Sequence, residues 1–110
     1  MEKADILYII ERLKKDEQLE CYRLGLAGSY ARGTNDVASD IDIVVDSDGM
    51  PVADMECIKK HFRGVEVDIL CLGLLRKEDE KLDDFLKEMG LPSNRNSLYK
   101  NVLCEVIWCG

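Results

Sequence analysis

The sequence has no apolar run near the length of a membrane span, so it reads as a chain that does not cross a bilayer. It has one histidine, His61, and no Cys-x-x-Cys pair, so the spacings fit no common zinc pattern. Its five cysteines, Cys21, Cys57, Cys71, Cys104 and Cys109, are odd in number and mostly lie in apolar runs. That usage suits small buried hydrophobes in a reducing, cytoplasmic setting better than a disulfide scaffold. Basic residues are also short. Fifteen Lys and Arg against 22 Asp and Glu give a net charge of -7, which argues against a nucleic-acid backbone as the direct partner. No internal repeat, low-complexity segment or interdomain linker is visible, and the charged start Met1-Glu2-Lys3-Ala4-Asp5 does not read as a signal peptide. A chain of 110 residues, 46% hydrophobic, is expected to form a single domain over 1–110 with a modest core.

What is present centres on residues 28–46. Gly28-Ser29 follows the apolar run Leu24-Gly25-Leu26-Ala27, and Asp40 and Asp42 stand at the head of the run Ile41-Asp42-Ile43-Val44-Val45. Residues two apart in a strand share a face, so Asp40 and Asp42 are expected side by side. Like charges that close repel, and a cation between them relieves the repulsion. Gly28 lets backbone approach a ligand closely, and Ser29 is expected to cap a short helix from Tyr30 to Arg32 whose start favours phosphate oxygens. A phosphate cradle beside carboxylate-held metal is the part list for phosphoryl or nucleotidyl transfer. Asp-x-Asp can also cap a strand or bind calcium, and the Gly-Ser dipeptide alone is common in plain turns.

Along the chain, apolar periodicity predicts helices over 3–16, 51–63 and 78–89 and strands over 21–27, 40–46 and 65–72. The third helix is expected to turn Leu82, Phe85, Leu86 and Met89 inward. Pro92 to Asn96 reads as a loop, Ser97 as the cap of a last helix, and Glu105 to Gly110 as a closing strand. Asp68 sits mid-strand among apolar residues, a costly place unless it is paired or metal-bound, and is the natural third carboxylate. Glu66 shares its face but lies nearer the strand end. Arg32 has two readings, reaching phosphate or bracing the loop. His61 fits the favourable place of a histidine cation at a helix C-terminus. Tyr99 and Trp108 read either as partner-facing anchors or as partly buried core.

Gly28-Ser29, ten residues and then Asp40-Ile41-Asp42 resemble the signature of the DNA polymerase β-like nucleotidyltransferase superfamily. The fuller Gly28-Ser29-Tyr30-Ala31-Arg32-Gly33 is similar to its minimal nucleotidyltransferase (MNT) family. The match is specific over 28–46, and Asp68 also falls where the family places its third acid. The resemblance implies an α/β (α+β) polymerase β-like fold, a small mixed sheet flanked by helices. It implies Asp40, Asp42 and Asp68 as catalytic residues holding one or two Mg2+ ions, with Gly28, Ser29 and Arg32 binding the nucleotide. It further implies transfer of AMP from ATP to a hydroxyl of a partner protein, with this chain the antitoxin of a HEPN/MNT toxin–antitoxin pair and a HEPN-domain protein its partner. Alternatives are an aminoglycoside-type small-molecule nucleotidyltransferase, working across a homo-oligomer interface, and a non-catalytic binding antitoxin. A chain with little beyond the core is expected to take a protein as acceptor, since the extra domain by which larger relatives hold small substrates is missing from it.

Overall fold

A computed structural model describes residues 2–93 and 97–109, in the order α1 (Lys3–Leu13), β1 (Leu24–Ala27), α2 (Gly28–Arg32), β2 (Ile41–Val45), α3 (Val52–Lys60), β3 (Val67–Cys71), α4 (Leu72–Glu88), α5 (Leu98–Glu105) and β4 (Ile107–Cys109). The strands form one mixed sheet in the order β3-β2-β1-β4, with β2 and β3 parallel and both pairings of β1 antiparallel. This is the mixed α/β architecture expected. Among the described residues no helix is long and apolar enough to cross a membrane.

The sheet is covered on both faces, which is why β1 is buried at every position instead of alternating. On one face Ile6, Ile10 and Leu13 of α1 and Ile58 and Phe62 from α3 and its end pack on Leu24, Leu26, Ile41, Ile43 and Val45. Each such side chain contributes roughly 1.5–3 kcal/mol when fully removed from water. On the other face Ala27 and Val44 meet Val102 of α5, flanked by Leu70, Leu72, Leu75, Val106 and Trp108. Gly25 is part of that fit, because a Cβ there would lie 2.7 Å from Val106 Cγ2.

Most elements are shorter than periodicity predicts, since their ends are closed by turns. The first helix stops at Leu13, and residues 14–23 form turns before β1. Pro51 stands at the N-cap of α3, so the helix starts one residue later than expected, and Val52 is 72% exposed. The largest correction concerns α4. It begins at Leu72, directly after β3, and Phe85 and Met89 are 56% and 62% exposed, while Gly73 and Asp79 are its buried residues. Asp79 turns toward α5, where Lys100 reaches Asp79 at 3.8 Å and Asp83 at 3.6 Å. Ser97 caps α5 by accepting from the Lys100 N–H at 3.2 Å. Of the expected loop, residues 94–96 lie outside the described residues. The cysteines are all free, but only Cys71 and Cys109 are buried and Cys57 is half-buried. Cys21 and Cys104 are exposed.

The turns between α1 and β1 are tied to α3 by Asp54, whose carboxylate accepts from Gln18 Nε2 at 2.7 Å and from the Tyr22 hydroxyl at 2.7 Å. The bond to Asp54 pushes the Tyr22 hydroxyl from its ordinary 10.0 up to about 12, with desolvation adding to it. A folded pKa above the unfolded one means that this contact stabilises the fold fully below pH 10.0 and that its contribution is lost as pH rises through about 12. Spectrophotometric titration should therefore show one of the four tyrosines ionising near pH 12, and that late step should vanish in Tyr22→Phe.

Candidate active site

The three aspartates lie at one end of the sheet. β2 starts at Ile41, so Asp40 is in the entering segment and Asp42 is the second strand residue. The Ile41 N–H donates to the Glu66 carbonyl at 3.1 Å, and this bond sets the parallel register in which Asp42 stands opposite Asp68. Side chains opposite one another on parallel strands point to the same face, here the face of Val44 and Leu70. On its other side Asp42 is paired with Ala27, the residue before the glycine turn. Asp40 and Asp68 are exposed and Asp42 is half-buried. Glu66 lies before β3. It borders, with Tyr30, Asp36, Ser39 and Asp40, an open groove of about 530 Å3.

Gly28 is buried with φ +74°, a conformation that L side chains rarely adopt, and a Cβ there would lie 2.1 Å from Asp42 Oδ2. Glycine thus lets the Asp42 carboxylate rest against the turn backbone. The helix begins at Gly28 itself, with Ala27 in the N-cap position and no side-chain cap. The expectation that Ser29 caps a helix from Tyr30 is corrected: Ser29 is inside the first turn, and its carbonyl accepts from the Thr34 N–H at 2.9 Å. Gly33, at φ 77°, closes the helix.

Glu105, the last residue of α5, is the site residue that sequence reasoning missed. One carboxylate oxygen accepts from the Gly28 N–H at 3.0 Å, and the other is 2.5 Å from Arg32 Nη1. Arg32, read beforehand as reaching phosphate or bracing the loop, is engaged by this carboxylate. His61 lies elsewhere, at the C-cap of α3 as expected, with Nδ1 2.9 Å from the Cys57 carbonyl. Trp108 and Tyr99 are half-buried, and the Arg23 guanidinium stacks 4.3 Å from the Trp108 ring centre.

Burial, then the Asp68 charge, then the Asp40 charge, hold the Asp42 carboxyl above its ordinary range, with Glu105 adding and Arg32 opposing. Among the described residues no group of three or more Asp, Glu, His or Cys side chains is set, as it stands, to hold a metal ion. The donors nevertheless suit a hard divalent cation. They are carboxylates only, and their mutual repulsion at Asp42 is the kind that a cation removes. Asp40, Asp42 and Asp68 would hold Mg2+, which supplies Lewis-acid stabilisation of phosphoryl oxygens and lowers the pKa of an attacking hydroxyl.

Comparison with curated proteins gives no match. A family model described as a nucleotidyltransferase domain matches residues 6–102, from the first core helix through all three aspartates to the last helix. Mixed sheet, glycine turn and acid-lined strand ends are thereby joined over nearly the whole chain, and the protein belongs to the nucleotidyltransferase domain family.

Proposed function

We propose that the chain is a Mg2+-dependent transferase that moves AMP from ATP to a hydroxyl of a partner protein, acting as the antitoxin of a HEPN/MNT pair. The carrying observation is the register of Asp42 with Asp68 beside the Gly28 turn, with Asp40 entering from the same end. In the reaction the acceptor oxygen bonds to the α-phosphorus. The bond from that phosphorus to the β-bridging oxygen breaks, pyrophosphate leaves, and Asp68 takes the hydroxyl proton. Ser29 at the turn meets the departing phosphates. Asp40 and Asp68 are exposed at one end of the sheet, which suits an acceptor that brings its own surface.

The test is label transfer from ATP, with Mg2+, to a co-expressed HEPN-domain partner. Wild type should label the partner, and Asp40→Asn should reduce labelling on the order of 10²-fold or more. Label on an aminoglycoside hydroxyl with no protein acceptor would move the assignment to a small-molecule enzyme. Neutralisation that survives Asp40→Asn with Asp42→Asn would make it a binding antitoxin.

A further inference from the structure

Glu105 is set between the Gly28 N–H and the Arg32 guanidinium, on backbone anchored from both sides. Its side chain is 14% exposed, against 51% for Arg32. It is the last residue of α5, and the next residue's N–H donates back to Val102 O at 2.9 Å. The chain then enters β4, where Ile107 pairs with Leu26 of β1. A side chain held by a helix end on one side and a sheet ladder on the other is a fixed strut.

A strut of this kind has two consequences. Its bond to the Gly28 N–H holds the one backbone unit against which Asp42 Oδ2 rests, so the position of Asp42 depends on it. It also brings a further negative charge close to Asp42, where a polyphosphate would arrive. That charge is tolerable only if neutralised locally, and Arg32 does so.

We propose that Glu105 and Arg32 form a single positioning unit: Glu105 fixes the Gly28 turn against Asp42, and Arg32 neutralises Glu105 and does not contact the nucleotide's phosphates. This rests on the reading of the site as a nucleotide-binding transferase centre. It assigns Arg32 a partner inside the chain and gives the last helix a direct part in shaping the site.

The decisive measurement is calorimetric binding of ATP with Mg2+ to wild type, Arg32→Gln, Glu105→Gln and the double variant, each checked for folding by thermal unfolding. Arg32→Gln leaves a half-buried carboxylate uncompensated and should weaken binding about 10-fold or more. Glu105→Gln keeps an amide oxygen for the Gly28 N–H and should stay within about 3-fold of wild type. The double variant, with neither charge, should recover to within about 3-fold of wild type. Should Arg32→Gln not fold, Arg32→Lys, which keeps the charge, is expected to bind nearly as wild type. A double variant as weak as Arg32→Gln, or Arg32→Lys as weak as a neutral substitution, would show Arg32 on the phosphates and overturn the proposal. Tighter binding by Glu105→Gln would overturn it too, making Glu105 a competitor for the phosphate seat. Equal binding by all four proteins overturns this proposal alone, whereas no binding by wild type overturns the nucleotide reading beneath it.

Discussion

Asp42→Asn should abolish nucleotidyl transfer, lowering it on the order of 10³-fold or more, and at the same time raise the thermal stability of the metal-free protein at neutral pH. The first effect follows from removing the central carboxylate of the three, the one in register with Asp68 and against the Gly28 turn. The second follows from the cost of keeping that carboxylate charged. Its folded pKa is raised by burial and by the Asp68 and Asp40 charges, so folding favours the protonated form. The stability it contributes is present below the unfolded carboxylate value and lost as pH rises through the raised folded value. At neutral pH the ionised group therefore opposes folding, and a neutral amide relieves it. The gain of the variant over wild type should shrink as pH falls and wild-type Asp42 becomes protonated. Added Mg2+ should raise the melting temperature of wild type and leave Asp42→Asn nearly unmoved. A variant that is less stable at neutral pH, or that retains transfer, would remove Asp42 from the centre of the site.

Gly28→Ala should be nearly as damaging by a different route. The methyl would meet Asp42 Oδ2 at 2.1 Å and would sit on a residue at φ +74°. Backbone strain of this kind costs about 1–3 kcal/mol, and the clash comes in addition. Relief requires Asp42 or the turn to move, and displacements near 1 Å at a reacting centre cost on the order of 10²-fold in rate. Gly33→Ala separates the two effects. Gly33 has φ +77° but nothing within 4 Å of its added Cβ, so it should show strain without the steric push on Asp42. Urea unfolding should find both variants destabilised, while label transfer should fall steeply only in Gly28→Ala. Equal transfer losses would mean that the conformation of the helix α2, and not room for the Asp42 carboxylate, is what the turn provides.

Local spacing carried much of the fold. An apolar stripe at three- and four-residue steps needs a helix wherever it lies, and residues two apart in a strand share a face in any sheet. The alignment of Asp68 is different in kind. It depends on how β3 slides along β2, and one residue of slip would send Asp68 to the opposite face. No period within either strand encodes that. In α4 the period groups Leu82, Phe85, Leu86 and Met89 on one side, but periodicity says nothing about what that side meets, and Leu82, Phe85 and Met89 are exposed. Glu105 was legible in principle. It is an acid in a largely apolar tail, the same signal that singled out Asp68, but its partners lie 77 and 73 residues away in sequence. The Ser29 cap failed for a local reason: glycine at positive φ starts the helix two residues earlier than a serine cap would.

The parallel pairing of β2 with β3 has a consequence for how this site can vary. Two of its acids hang from adjacent backbones whose separation, about 4.8 Å, is a property of the peptide ladder and not of any side chain. Point changes can alter charge, length or orientation at those stations, but they cannot bring the rails closer or farther apart. Sequence drift across the outer helices therefore leaves the ruler intact, and the span offered to a reacting phosphate is inherited from strand geometry alone.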